Sequence, residues 1–109
     1  IANYKGHALG SVFSIGQDPH LQRGTASISI DFGSGDIKGS INIGKHIIDL
    51  IRKGDTPLGP QFTGSTLLNG GGAGGFSGAF YGPKAAEAVG TFNAQNGTLH
   101  AIGAFGAKK

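Results

Sequence analysis

Between Gly24 and Ile43 the chain alternates apolar and polar residues with a period of two on both sides of one tight turn. Ala26, Ile28, Ile30 and Phe32 alternate with Thr25, Ser27, Ser29 and Asp31. After Gly33-Ser34-Gly35-Asp36 the pattern resumes as Ile37, Gly39, Ile41 and Ile43 against Lys38, Ser40 and Asn42. A period of two is that of a strand with one buried face, and the two glycines of the turn supply positive φ for a hairpin. Such a hairpin must bury one face against a core and find partners for both of its free edges.

The rest of the chain reads as more of the same sheet. Tyr4 to Ile15 opens with Tyr4, Gly6, Ala8 and Gly10 on one face and then shifts phase to Phe13 and Ile15, which predicts a bulge or bend near Gly10. Lys45 to Lys53 fits either a short helix, with Ile47, Ile48, Leu50 and Ile51 on one face, or a strand carrying Ile48 and Leu50 inward; the pattern alone slightly favours the helix. Phe62, Gly64, Thr66 and Leu68 form a further strand, and Asn69 to Gly74 reads as a flexible turn. Phe76, Gly78 and Phe80 share a face up to a Gly82-Pro83 corner. One helical turn is expected after it, because Pro83 suits a first helical position and Lys84-Ala85-Ala86-Glu87-Ala88 are good helix formers. Val89 to Phe92 resumes the alternation, and Asn96-Gly97 predicts the last hairpin. Seven strands, with an eighth in the Ile47 region, joined by short hairpins and no crossover helix, predict an eight-stranded antiparallel up-and-down β-barrel with one short helical turn.

Composition agrees. Glycine is 22 of 109 residues while hydrophobic residues reach 38%, so the glycine serves turns and close strand packing rather than disorder. The length suits one domain, taken as residues 1–109. Eight strands is the size at which side chains alone fill the interior, so a packed barrel is expected rather than a ligand cup. No stretch approaches the about 18 apolar residues of a membrane helix. The opening Ile1-Ala2-Asn3 has neither an initiating Met nor a signal peptide, which points to a processed product or an excised module. The net charge of +3 comes from scattered residues, and no basic patch with interleaved aromatics suggests nucleic acid.

Phe80-Tyr81-Gly82-Pro83-x-Ala85-x-Glu87 and the terminal Phe105-Gly106-Ala107-Lys108-Lys109 carry a family signature. With it the chain resembles the C-terminal β-barrel domain of the transferrin-binding protein B family, Gram-negative surface lipoproteins and secreted haemophilin-like proteins. Asp31-Phe32-Gly33, Ile37-Lys38-Gly39 and Phe62-Thr63-Gly64 fit the looser family pattern upstream. The resemblance favours a strand over a helix near Lys45 to Lys53. It implies a C-terminal module of a larger or processed protein at the bacterial cell surface, or secreted, that binds a host serum protein of transferrin or haemoglobin type in iron or haem acquisition. A barrel that supports export or a separate ligand-binding domain, and a small hydrophobic-ligand or haem carrier, are the alternatives. The signature residues read as structural.

No residues combine into chemistry. The six acids sit mostly in turns or at strand ends, Phe76-Ser77-Gly78 lacks a nucleophile elbow, and the run Gly70-Gly71-Gly72 is followed by no Lys-Ser/Thr of a phosphate loop. His7, His20, His46 and His100 have no metal-binding spacing and there is no cysteine, so no catalytic or metal site and no cofactor is assigned. His20 and His46, beside apolar neighbours, are the only haem-ligand candidates. Partner contact is expected on the loops Gly16 to Arg23 and Arg52 to Gln61, through Leu21, Arg52, Lys53 and Leu58, by a monomer that neither inserts into a membrane nor binds nucleic acid.

Overall fold

A computed structural model describes residues 1–54 and 59–109. Eight strands run in chain order: β1 (Ala2–Ser14), β2 (Gln22–Asp31), β3 (Asp36–Ile43), β4 (His46–Arg52), β5 (Gln61–Leu68), β6 (Ala73–Tyr81), β7 (Glu87–Asn96) and β8 (Leu99–Lys108). Each pairs antiparallel with the next, and β8 closes on β1 to give the expected up-and-down barrel. Closure removes the edges the hairpin pattern left open.

Lys45 to Lys53 resolves as a strand. Ile48 and Leu50 are fully buried, whereas Ile47 and Ile51 point out and stay partly exposed. The β3 ladder from Ile37↔Arg52 to Ile43↔His46 gives this segment backbone partners that an isolated helical turn would lack. No bulge interrupts β1 at Gly10. The β8 ladder runs unbroken from Lys5↔Lys108 to Ser14↔Leu99, so Val12 continues the inward phase while Phe13 turns outward and stacks on His100 at 5.8 Å.

The turn after β5 is tighter than expected. Asn69 and Gly70, with φ of 53° and 86°, form a two-residue turn closed by the paired backbone bonds of Leu68 and Gly71. The extra residue is taken up at the start of β6, where three residues oppose two between Leu68↔Gly71 and Ser65↔Gly75. The last hairpin is shifted by one residue. Asn96 still pairs with Leu99, leaving Gly97-Thr98 as the turn, with glycine at the first central position as a type II′ turn requires.

The interior is filled in two styles. β2 to β4 supply branched aliphatics, with Ile28, Ile30, Ile37, Ile41, Ile43, Ile48 and Leu50 all buried. β5 to β8 instead set four inward phenylalanines directly opposite inward glycines: Phe62↔Gly78, Gly64↔Phe76, Gly90↔Phe105 and Phe92↔Gly103. In each pair the ring lies over the glycine so closely that an added Cβ would come within 2.4–2.7 Å of it. Rings and glycines thus interlock closely across this four-strand wall.

Both faces follow from this. The inside is apolar, while the outside of β1 to β4 carries Lys5, Ser27, Ser29, Lys38, Ser40 and Asp49.

Candidate functional site

In an up-and-down barrel, successive connections alternate between the two ends. The β2–β3, β4–β5 and β6–β7 connections share one end with both termini, and the β1–β2, β3–β4, β5–β6 and β7–β8 connections share the other. The bonds agree: Gly54 N–H donates to Asp36 Oδ1 at 2.9 Å at the first end, and Ile15 N–H to the Thr98 carbonyl at 2.9 Å at the second. The two loops predicted to bind a partner therefore leave the barrel at opposite ends.

At the terminus-bearing end, Tyr4, Phe32, Phe62 and Phe80 close the barrel, Phe80 lying 5.0 Å from Phe32 and 4.9 Å from Phe62. Over them sits the β6–β7 connection. Gly82, at φ 81° and ψ 171°, adopts a conformation open only to glycine, and a 3-10 turn Pro83–Ala85 follows. This is the one helical turn expected here, and it goes no further because Lys84 and Ala85 take left-handed φ of 54° and 53° and Glu87 already belongs to β7. Left-handed geometry costs about 1–2 kcal/mol per residue. It is held by three donors: the Tyr4 hydroxyl to the Ala85 carbonyl at 2.6 Å, Lys109 N–H to the Ala86 carbonyl at 3.0 Å, and Lys109 Nζ to the Lys84 carbonyl at 2.5 Å. Burial pushes the Tyr4 hydroxyl above the ordinary tyrosine range. Glu87 pairs with Lys108 at 3.5 Å. The signature residues thus shape and brace one corner.

At the same end, Arg52 is half-buried and its guanidinium donates to the Gly35 carbonyl. That ties it to the β2–β3 turn and leaves Lys53 as the exposed cation beside it. Leu58 lies outside the described residues. Backbone N–H groups of Ser34 and then Gly33 hold the Asp31 carboxyl below the usual carboxylate range.

The opposite end gathers His20, His46 and Leu21. Ile15 and Leu21 are its most exposed apolar side chains, at 65% and 71%. His46 Nδ1 accepts from Asn69 Nδ2 at 3.0 Å, while His20 lies exposed in the β1–β2 loop. Among the described residues no three metal-ligating side chains converge.

One surface escaped the sequence. A shallow groove crosses the outside of β2, β1 and β8, lined by His7, Leu9, Arg23, Ala104 and Gly106. Its residues come from three strands distant in sequence; the unexplained outward Leu9 was the only local signal. Among the described residues no helix is long and apolar enough to cross a membrane.

A family profile described as the C-lobe and N-lobe β-barrels of Tf-binding protein B matches residues 1–109. The crystal structure of the isotype 1 transferrin-binding protein B from serogroup B Neisseria meningitidis is similar at a TM-score of 0.72 and 21% identity, over 98% of this chain and 24% of that one. The vaccine antigen of the same name from Haemophilus parasuis Hp5, in a single-substitution variant, gives a TM-score of 0.62 and 22% identity over 98% and 26%. A variant from Actinobacillus pleuropneumoniae H49 gives 0.61 and 17% over 98% and 61%. The chain spans about a quarter of the first two structures. No curated protein sequence matches significantly.

Proposed function

Because the chain belongs to the β-barrel family of transferrin-binding protein B, we propose that it is a non-enzymatic binding module of a bacterial surface or secreted protein that contacts a host serum protein of transferrin type. The observation that carries this reading, beside the family, is the filled interior: with the inside occupied by Ile, Leu and Phe, a partner meets only the ends and the outer wall. Of the two ends, the one bearing Leu21 and Ile15 is the better contact, since exposed apolar side chains held on a rigid scaffold are what a partner buries. Lys53, at the other end, lies outside the contact in this reading. The test is surface binding of purified transferrin to the 109-residue chain and to a Leu21→Asp variant. Binding lost in the variant at unchanged circular dichroism supports the reading; binding unaffected by it removes the Leu21 end from the contact.

A second reading is a barrel that supports a separate ligand-binding domain. It is favoured by the outer face of β6 to β8. Between the Glu87↔Lys108 pair and the far turn that face presents Ala79, Val89, Thr91, Ala104 and Ile102, with no charged side chain, a surface suited to packing against another domain. If the chain binds neither transferrin nor haemoglobin, this reading is the better one.

A further inference from the structure

The barrel is closed along most of its height, but β1 parts from β2 before it parts from β8. β1 pairs with β2 only from Ala2↔Ile30 to Gly10↔Gln22, whereas it pairs with β8 as far as Ser14↔Leu99. Ser11 to Ser14 are therefore laddered on one side alone, and the β1–β2 loop that could have covered the other side makes only one backbone bond to them, from Gln17 N–H to the Ser14 carbonyl at 3.0 Å.

Strand alternation identifies the groups left over. Ile15 N–H points to the β8 side, where it meets the Thr98 carbonyl, so Ser14 and Val12 direct their N–H and C=O to the side that β2 has left. Gln17 occupies the Ser14 position like a partner strand of one residue: its backbone N–H donates to the Ser14 carbonyl, and its side-chain Oε1 accepts from Ser14 N–H at 3.2 Å. Among the described residues nothing does this for Val12. Beside it Ser11, only 2% exposed, has a hydroxyl with no hydrogen-bond partner among the described residues. A backbone edge and an unanswered buried hydroxyl thus meet at one place, with Ile15 and Leu21 exposed around it.

We propose that the edge along Ser11–Ser14 takes a short extended segment of a partner polypeptide, added to β1 as a strand, with apolar and hydroxyl side chains alternating. An extended backbone is the one ligand that supplies donor and acceptor at Val12 with the spacing of the ladder. The alternation follows from the two faces: beside Val12 the row leads to the core, and beside Ser11 it nears a hydroxyl, covered in the free chain, that a threonine or serine across the strands would satisfy once the docking strand displaces that cover. This goes beyond binding through loop side chains and does not depend on the identity of the host protein.

The probe is an acetylated, amidated hexapeptide of alternating Val and Thr, titrated into the isotopically labelled chain and followed by amide resonances. The expected result is saturable shifts confined to Ser11–Ser14 and Gln17, with a Kd on the order of millimolar for so short an edge. The same peptide N-methylated at alternate residues should bind at least about tenfold more weakly in one of its two registers of methylation. Val12→Pro removes an N–H that no β8 partner uses and should abolish the shifts. Gln17→Ala, by freeing Ser14, should tighten binding roughly two- to fivefold. No shift at saturating peptide, shifts centred on the β6–β8 wall, or indifference to N-methylation would each overturn the proposal. So would shifts that grow with protein concentration without peptide, since the occupant would then be a second copy. Transferrin binding is read separately, so either proposal can fail alone.

Discussion

Tyr4 is the residue on which two distant parts of the chain meet. It is fully buried, packs 6.1 Å from Phe80, and spends its hydroxyl on the Ala85 carbonyl. Tyr4→Phe should cost about 0.5–1.5 kcal/mol through that bond. The pKa gives a second readout. A hydroxyl held protonated in the fold and free to ionise when unfolded contributes stability that is present below the ordinary tyrosine value and lost as the pH rises through the higher folded one. Alkaline melting series should show a wild-type decline that Tyr4→Phe reduces. Glycine offers the sharper contrast. A methyl group at Gly78 would meet the Phe62 ring at 2.5 Å and the Val89 carbonyl at 2.4 Å, whereas at Gly106 it would meet nothing within 4 Å. Gly78→Ala should therefore destabilise by about 1–3 kcal/mol and Gly106→Ala by no more than about 0.5 kcal/mol in urea denaturation. Equal effects of the two would mean that the ring-over-glycine packing is not what fills this wall.

Among the elements, the β2–β3 turn is built on one carboxylate. Asp31 Oδ1 accepts from Gly33 N–H at 3.0 Å and Ser34 N–H at 3.3 Å, and Gly35 N–H closes the turn on the Asp31 carbonyl at 2.8 Å. Because the folded carboxyl lies below its ordinary value, its contribution is present above that value and disappears as the pH falls through the folded one. Asp31→Asn should lower stability slightly at neutral pH and converge with wild type in acid, as acid titration of the unfolding midpoint would show. Turns and strands of this kind were legible because both signals are local: alternation for β2 and β3, glycine spacing for the turn. The sequence was ambiguous or misleading where local signals compete. Two adjacent isoleucines at Ile47-Ile48 fit a helical face as well as a strand, and only the β3 ladder decides. Ser11-Val12-Phe13 looks like a phase slip because Phe13 is large, yet Phe13 finds its burial outside, on His100. At Lys84 and Ala85 the expected turn forms, and its left-handed end is fixed by Tyr4 and Lys109, neither adjacent in sequence.

For the whole molecule, the parity of the connections decides what binding can look like. Proline, charge and apolar residues single out the loops Gly16 to Arg23 and Arg52 to Gln61 from the sequence alone, but which end each occupies depends on counting strands between them. With β2, β3 and β4 intervening, the loops emerge on opposite ends, so a partner of ordinary size uses one and not both. Exchanging residues 16–21 for a short Gly-Ser turn should weaken transferrin binding by at least about tenfold, the loss expected when a well-exposed apolar anchor is removed. Exchanging residues 53–60 should leave it within about twofold, the scatter of a site outside the contact. Far-ultraviolet circular dichroism should be unchanged in both, because neither exchange touches a ladder residue within β1 to β8. The reverse outcome would move the contact to the Lys53 end, and equal losses in both would require a partner that spans the length of the barrel along its outer wall, where Leu9, Val89 and Ile102 are exposed.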